Sequence, residues 1–204
     1  MSLNMRFLVA DAETLSTSEN GVILDFSFIA VDFNKRLDYT ADELIDVGVK
    51  WKFDIKEQIA NGRHVDQSTV KWWQQQEKSV RKLVLPSDND VSLYSLVPRI
   101  EEYLKQNEFT RQVKTHNFWF ASRGELEVKL IHGLYQELGM TVQQDGFYDF
   151  NRWRDIRTML HFLAGAESGY IDVRDETQGL EKHNSLHDVV IDILQMQKAL
   201  KGYE

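Results

Sequence analysis

The 204-residue chain has no cysteine and only two prolines. Without cysteine there are no disulfide staples, no thiolate zinc sites and no cysteine nucleophile, and the composition suits a reducing compartment. With proline so scarce and no low-complexity stretch, nothing marks a linker, and one domain over residues 1–204 is the simplest organisation. No run approaches the ~18 consecutive apolar residues of a membrane span, and the opening Met1-Ser2-Leu3-Asn4-Met5 lacks the basic-then-apolar pattern of a secretory signal. A cytosolic protein is expected, with residues 1 to 4 an added or dispensable start. Positive charge is also short: 24 Lys plus Arg face 32 Asp plus Glu, a net charge of -8. Such a surface repels a polyanion unless metal ions or a local basic strip intervene, which argues against broad wrapping of a duplex. What remains is 42% hydrophobic, 27% charged and 11% aromatic, the balance of an ordinary globular protein with a full core.

The hydrophobic pattern predicts a mixed α/β domain. Residues 6–10 are a short apolar run ending on Asp11, as in a strand buried on both faces. Residues 22–33 are rich in branched and aromatic types after the turn-like Glu19-Asn20-Gly21. Residues 47–53 alternate Val47, Val49, Trp51 and Phe53 against Gly48, Lys50 and Lys52. Together these predict an antiparallel meander. A short helix follows Asp66, and another spans 86–107, where Val91, Tyr94, Val97, Ile100 and Leu104 recur near helical spacing. A strand around 112–117 should lead into a helix at 124–139 carrying the stripe Leu126, Leu130, Leu134, Leu138, closed by Gly139. Helices at 154–163 and 185–200 complete the chain.

Four segments could carry chemistry. Asp11-Ala12-Glu13-Thr14 puts two carboxylates on one side of a strand end, close enough to hold a hard divalent cation. Acid-x-acid pairs occur about five times by chance in a chain this acidic, so placement rather than spacing makes this one notable. His183-Asn184-Ser185-Leu186-His187-Asp188 puts Asp188 in a first helical turn and His183 on the loop before it. The same residues also form the capping pattern Ser185-x-x-Asp188, and His187 with Asp192 repeats the spacing further into the helix, where the two would be a satisfied support. Ser122-Arg123-Gly124-Glu125-Leu126-Glu127 opens the Leu-striped helix, with Glu125 at the edge of its core-facing side or serving only as an N-terminal acid. In Arg154-Asp155-Ile156-Arg157-Thr158, a buried Asp155 or Arg157 would need a partner and could orient a site. Trp72 and Trp73 could stack a nucleobase or pack in the core, with only one of them expected to be exposed.

In this order the segments resemble the DnaQ-like DEDDh superfamily of 3′-to-5′ exonucleases, and within it the T-even phage exonuclease A group with its bacterial exoribonuclease relatives. Asp11-x-Glu13-Thr14 resembles the first exonuclease motif. Thr69-Val70-Lys71-Trp72-Trp73 with Gln76 is similar to an insert of that group, Asp155-Ile156-Arg157-Thr158 to an internal element, and His183-x-Ser185-x-His187-Asp188 to the third motif. The second motif departs: the family's acid is an Asp, and the matching position is read here as Glu125, with Glu127 the alternative that fits the following apolar pattern less well.

The resemblance implies a ribonuclease H-like fold, a mixed sheet with the first three strands antiparallel and helices on its faces. It implies two Mg²⁺ or Mn²⁺ ions held by Asp11, Glu13, Asp188 and Glu125, with His183 as general base. Thr14, Trp72, Trp73, Gln76 and Arg157 become candidate substrate contacts. The implied partner is the 3′ end of a single-stranded nucleic acid, DNA first and RNA or short oligoribonucleotides as the alternative. The implied location is cytoplasmic, the host's if the chain is phage-encoded. A catalytically degenerate nucleotide-binding domain is the reading from outside the enzymes.

Overall fold

A computed structural model describes residues 4–109 and 117–202 of the chain. Five strands, β1 (Arg6–Thr14), β2 (Ile23–Asp32), β3 (Val49–Lys52), β4 (Trp119–Ser122) and β5 (Trp153–Asp155), form one sheet in the order β3-β2-β1-β4-β5. The first three are antiparallel, whereas β4 runs parallel to β1 and β5 parallel to β4. The helices are α1 (Ala41–Val47), α2 (Ile55–Ala60), α3 (Gln67–Gln75), α4 (Lys78–Leu83), α5 (Leu96–Gln106, after a 3-10 turn at Leu93–Ser95), α6 (Leu126–Glu137), α7 (Val142–Asp145), α8 (Ile156–Ala164) and α9 (Ser185–Lys201).

Strand alternation divides the core in two. Leu8, Ala10, Phe26 and Phe28 point to the face covered by α5 and α6, where they meet Ile100, Leu130 and Leu134. Phe7, Val9, Ile29 and Val31 point to the other face, which α9 crosses with Val189, Val190, Ile193 and Met196. Burying each such side chain is worth about 1.5–3 kcal/mol, so both faces are firmly tied to the sheet. On β1 the α9 face reads Phe7, Val9 and then, two and four residues on, Asp11 and Glu13. The apolar stripe therefore gives way to acids where the strand leaves the packed core. β4 pairs with β1 only as far as Ala10 and Ser122, so beyond that point β1 has no neighbour on that side and a cleft opens at the carboxyl ends of the two parallel strands.

The predicted mixed sheet with an antiparallel meander is what forms. Local boundaries differ for physical reasons. The first strand runs on to Thr14 because Asp11 and Glu13 still pair with Ser27 and Asp25 of β2. Val47 ends a helix instead of starting a strand, because Thr40 and Glu43 make a reciprocal capping box that launches α1 through the preceding residues. The helix expected over 86–107 begins later, at Leu96. The strand expected at 112–117 lies almost wholly outside the described residues; the parallel strand beside β1 is Trp119–Ser122. The helix expected over 154–163 starts two residues later, because Asp155 caps α8 by accepting from the Thr158 N–H and hydroxyl; Arg154 and Asp155 belong instead to the short edge strand paired with β4.

Candidate active site

Asp11 and Glu13 descend from β1 onto the α9 face, and the first turn of α9 brings Asp188 against them. Ligand atoms of Glu13, His183 and Asp188 all lie within 4.8 Å of one another. Asp11 in turn feels the charges of Glu127, Glu13, Asp188 and Asp192, so four other acids lie within electrostatic reach of it. Burial, and then this crowding, drives the Asp11 carboxyl well above its ordinary value and that of Glu13 upward too. Burial also raises Asp188 to about 6, even though its carboxylate accepts the His183 N–H at 2.9 Å.

The fourth acid of the cluster is Glu127, which corrects the expectation of Glu125. Glu125 is the residue before α6; its side chain is 67% exposed and pairs with Lys129 one turn on. Glu127 lies two residues further, on the opposite side of the helix, and shares its face with Leu130, Ile131 and Leu134. That face docks on the sheet and leaves Glu127 only 3% exposed, next to β1 where β4 has ended. Burial lifts its carboxyl to about 7, opposed by the Ser122 hydroxyl and the Ala12 N–H. The spacing carried a usable signal: Glu125 and Lys129 stand at i and i+4 with opposite charges, the mark of a solvated helix edge.

His183 sits on the loop entering α9 with φ +62, a left-handed conformation that a non-glycine residue holds only when its surroundings enforce it. Its ring meets the edge of Trp72 at a centroid distance of 4.9 Å. Burial and the neighbouring Lys182 depress the imidazole pKa, which favours the neutral ring, the form that accepts a proton. His187 turns away, its Nδ1 accepting the Glu181 N–H at 2.9 Å. Asp192 is the satisfied support expected of it, paired at 2.6 Å with Arg123, which also donates to Gly169 O and Gln195 Oε1.

Of the candidate substrate contacts, Thr14, Trp72 and Trp73 line a cleft of about 450 Å³ together with Ala12, Glu13, Ser68, Thr69 and Leu126. Trp73 is 6% exposed and donates its indole N–H to Thr14 O at 2.8 Å, while Trp72 is 39% exposed, so a single tryptophan is presented to solvent as anticipated. Gln76 is not in the cleft, because its amide is bonded to Trp72 O. Arg157 is exposed and packs by Gly124 and Gly169; it reaches the site only through its charge on Asp192. Asp155 fixes the Gly124 turn by accepting its N–H at 2.9 Å. On the other side of His183 a second lobe of about 680 Å³ is bounded by Asp11, Arg123, Tyr170, Lys182, Asp188 and Asp192.

A family model described as the 3′-5′ exoribonuclease Rv2179c-like domain matches residues 6–199. The chain belongs to this family. An exodeoxyribonuclease of Enterobacteria phage T4 is 30% identical over 209 residues, spanning 95% of this chain and 88% of the phage protein. Among solved structures, the nuclease domain of 3′hExo, a DEDDh member bound to rAMP, superposes with a TM-score of 0.61 at 9% identity, covering 97% of this chain and 92% of that one. A structure of exonuclease I gives 0.55 at 13% identity, over 97% of this chain and 41% of the other. The fold is thus ribonuclease H-like, and this member of the Rv2179c-like family is a nuclease with 3′-5′ exonuclease activity on nucleic acid. None of its helices, among the described residues, is long and apolar enough to cross a membrane.

The residues fit divalent cations. Glu127 Oε2 is buried with no hydrogen-bond partner, a costly state that a cation would relieve. Asp11, Glu13, Asp188 and Glu127 offer the oxygen donors that hard cations such as Mg²⁺ and Mn²⁺ take.

Proposed function

We propose that the chain is a metal-dependent 3′-to-5′ exonuclease that removes terminal nucleotides from single-stranded DNA as nucleoside 5′-monophosphates. The observation that carries this reading is the convergence of Asp11, Glu13, Asp188 and Glu127 from three distant segments beside His183. Bound divalent cations would supply positive charge to the crowded carboxylates and to the scissile phosphate. In this reading Asp11, Glu13, Asp188 and Glu127 hold them. His183 takes a proton from the attacking water as its oxygen bonds to phosphorus. The terminal phosphodiester bond then breaks, and the 3′ oxygen of the preceding nucleotide leaves and is reprotonated from solvent. Trp72, exposed beside His183, stacks the terminal base, and the cleft floor from Ala12 to Thr14 lies under its sugar. An unpaired end suits the net negative surface better than a duplex with its full phosphate charge.

RNA is the second reading, favoured by the exoribonuclease description of the family model, whereas the exodeoxyribonuclease relative supports DNA. Incubating end-labelled single-stranded DNA and RNA with protein and Mn²⁺, with and without chelator, tests both. Mononucleotide release from the 3′ end of DNA, ahead of RNA and abolished by chelator, is the expected result. Binding without hydrolysis of either polymer would refute the proposal in favour of a degenerate binding domain.

A further inference from the structure

The φ of +62 at His183 has to be maintained from outside the residue, and the N–H bond to Asp188 fixes only one side of it. The other side is Asn184. It stands at the N-cap of α9, where asparagine is among the best capping residues, yet its side chain makes no capping bond. Its Oδ1 instead accepts from Lys50 Nζ of β3 at 3.0 Å. The same ammonium lies 3.1 Å from Oδ2 of Asp25, a fully buried carboxylate on β2. Asp25 also accepts the hydroxyl of Ser185, and Ser185 Oγ lies 2.6 Å from Ser27 Oγ. The edge strand β3 and its neighbour β2 are thereby bonded to the two residues that follow His183. A surface loop gains nothing from a buried, charged anchor of this kind unless its position matters, since an apolar contact would stabilise it as well.

We propose that Lys50 is a positioning residue for the reaction: anchored on Asp25, it holds Asn184 and so fixes the backbone that aims the His183 imidazole at the acidic cluster. This rests on His183 serving as the base. Asn184→Ala deletes only the Lys50 contact and leaves the Lys50–Asp25 pair intact. The double variant Lys50→Met/Asp25→Asn removes the anchor without stranding a buried charge. Both should melt near the parent and bind Mn²⁺ and oligonucleotide within about twofold, measured by calorimetry and KM, while kcat falls about 10- to 10²-fold, the usual cost of misplacing a catalytic group. Lys50→Arg should recover most of kcat. Hydrogen exchange at the His183 amide, protected by its bond to Asp188, should quicken about tenfold or more in both variants. Parental kcat, or parental exchange at His183, in either folded variant overturns the proposal. If the parent does not cleave at all, the proposed function fails, and the exchange measurement still decides whether Lys50 holds the loop.

Discussion

Replacing Glu127 by glutamine should make the metal-free protein more stable and the enzyme much less active. Holding this carboxyl at about 7 in place of the ordinary 4.5 corresponds to about 3 kcal/mol of disfavoured ionisation. Part of that is shared with Asp11 and Asp192, so the expected gain on removing the charge is about 1–3 kcal/mol, or roughly 2–10 °C in Tm for a chain of this size. The sign follows from linkage. Because the folded-state pKa is the higher one, the native protein keeps a proton that the unfolded chain gives up between about pH 4.5 and 7. The penalty is therefore absent below pH 4.5, grows through that window and is complete above it. Melting in chelator should show Glu127→Gln level with the parent near pH 4.5 and clearly above it at pH 8. With Mn²⁺ present, loss of a cation-holding oxygen should lower kcat by about 10² or more, equivalent to about 3 kcal/mol of transition-state stabilisation. Glu125→Gln is the control: it deletes an exposed pair worth well under about 1 kcal/mol and should change neither stability nor turnover. An inactive Glu125→Gln beside an active Glu127→Gln, or no stabilisation of Glu127→Gln at pH 8 in chelator, would refute the assignment.

The histidine assignment predicts that His183→Ala lowers turnover by about 10²- to 10⁴-fold with an unchanged melting curve; near-parental hydrolysis by the folded variant rejects it. The raised carboxyls of Asp11, Glu13 and Asp188 all have the same sign, so the metal-free protein should lose stability steadily from pH 5 to pH 9. Mn²⁺ at about a hundred times its Kd should restore about 2.7 kcal/mol, and a melting temperature indifferent to both pH and Mn²⁺ would contradict the buried cluster. The tryptophans should separate. Trp72→Ala ought to raise KM roughly tenfold at constant Tm by removing a stacking face. Trp73→Phe ought to cost about 1 kcal/mol of stability through the lost bond to Thr14 O, with little change in KM. The reverse pattern in a paired melting and kinetic assay would place the stacking surface elsewhere.

Much of the fold was legible because burial imposes a period. The bounds expected for β2 match to within a residue at each end, and those of α9 more closely still, since β2 is a branched and aromatic run after a turn and α9 a long apolar pattern at helical spacing. α1 went unread because its charged surface carries only one buried residue, Leu44, and its formation depends on the Thr40–Glu43 cap. β5 went unread because three partly exposed residues have no periodicity of their own, and pairing with β4 alone makes them a strand. In the candidate site, the proximity of Asp11, Glu13, Asp188 and His183 follows from their positions at strand end and helix start. Glu125 was preferred to Glu127 from local pattern, and the phase of α6 against the sheet reversed that order.

By itself the sequence determined the alternation that makes the sheet, the acids at the end of its first strand and the acid and histidine at the mouth of its last helix, because these depend on periods of two and 3.6 residues within one segment. Tertiary structure alone decided which glutamate joins them, that Gln76 and Arg157 stay outside the cleft, and that Lys50 and Asp25 stand behind the histidine loop. Those outcomes depend on how far one segment is rotated about its axis when it docks on another. Packing sets that angle, and no single stretch of residues encodes it.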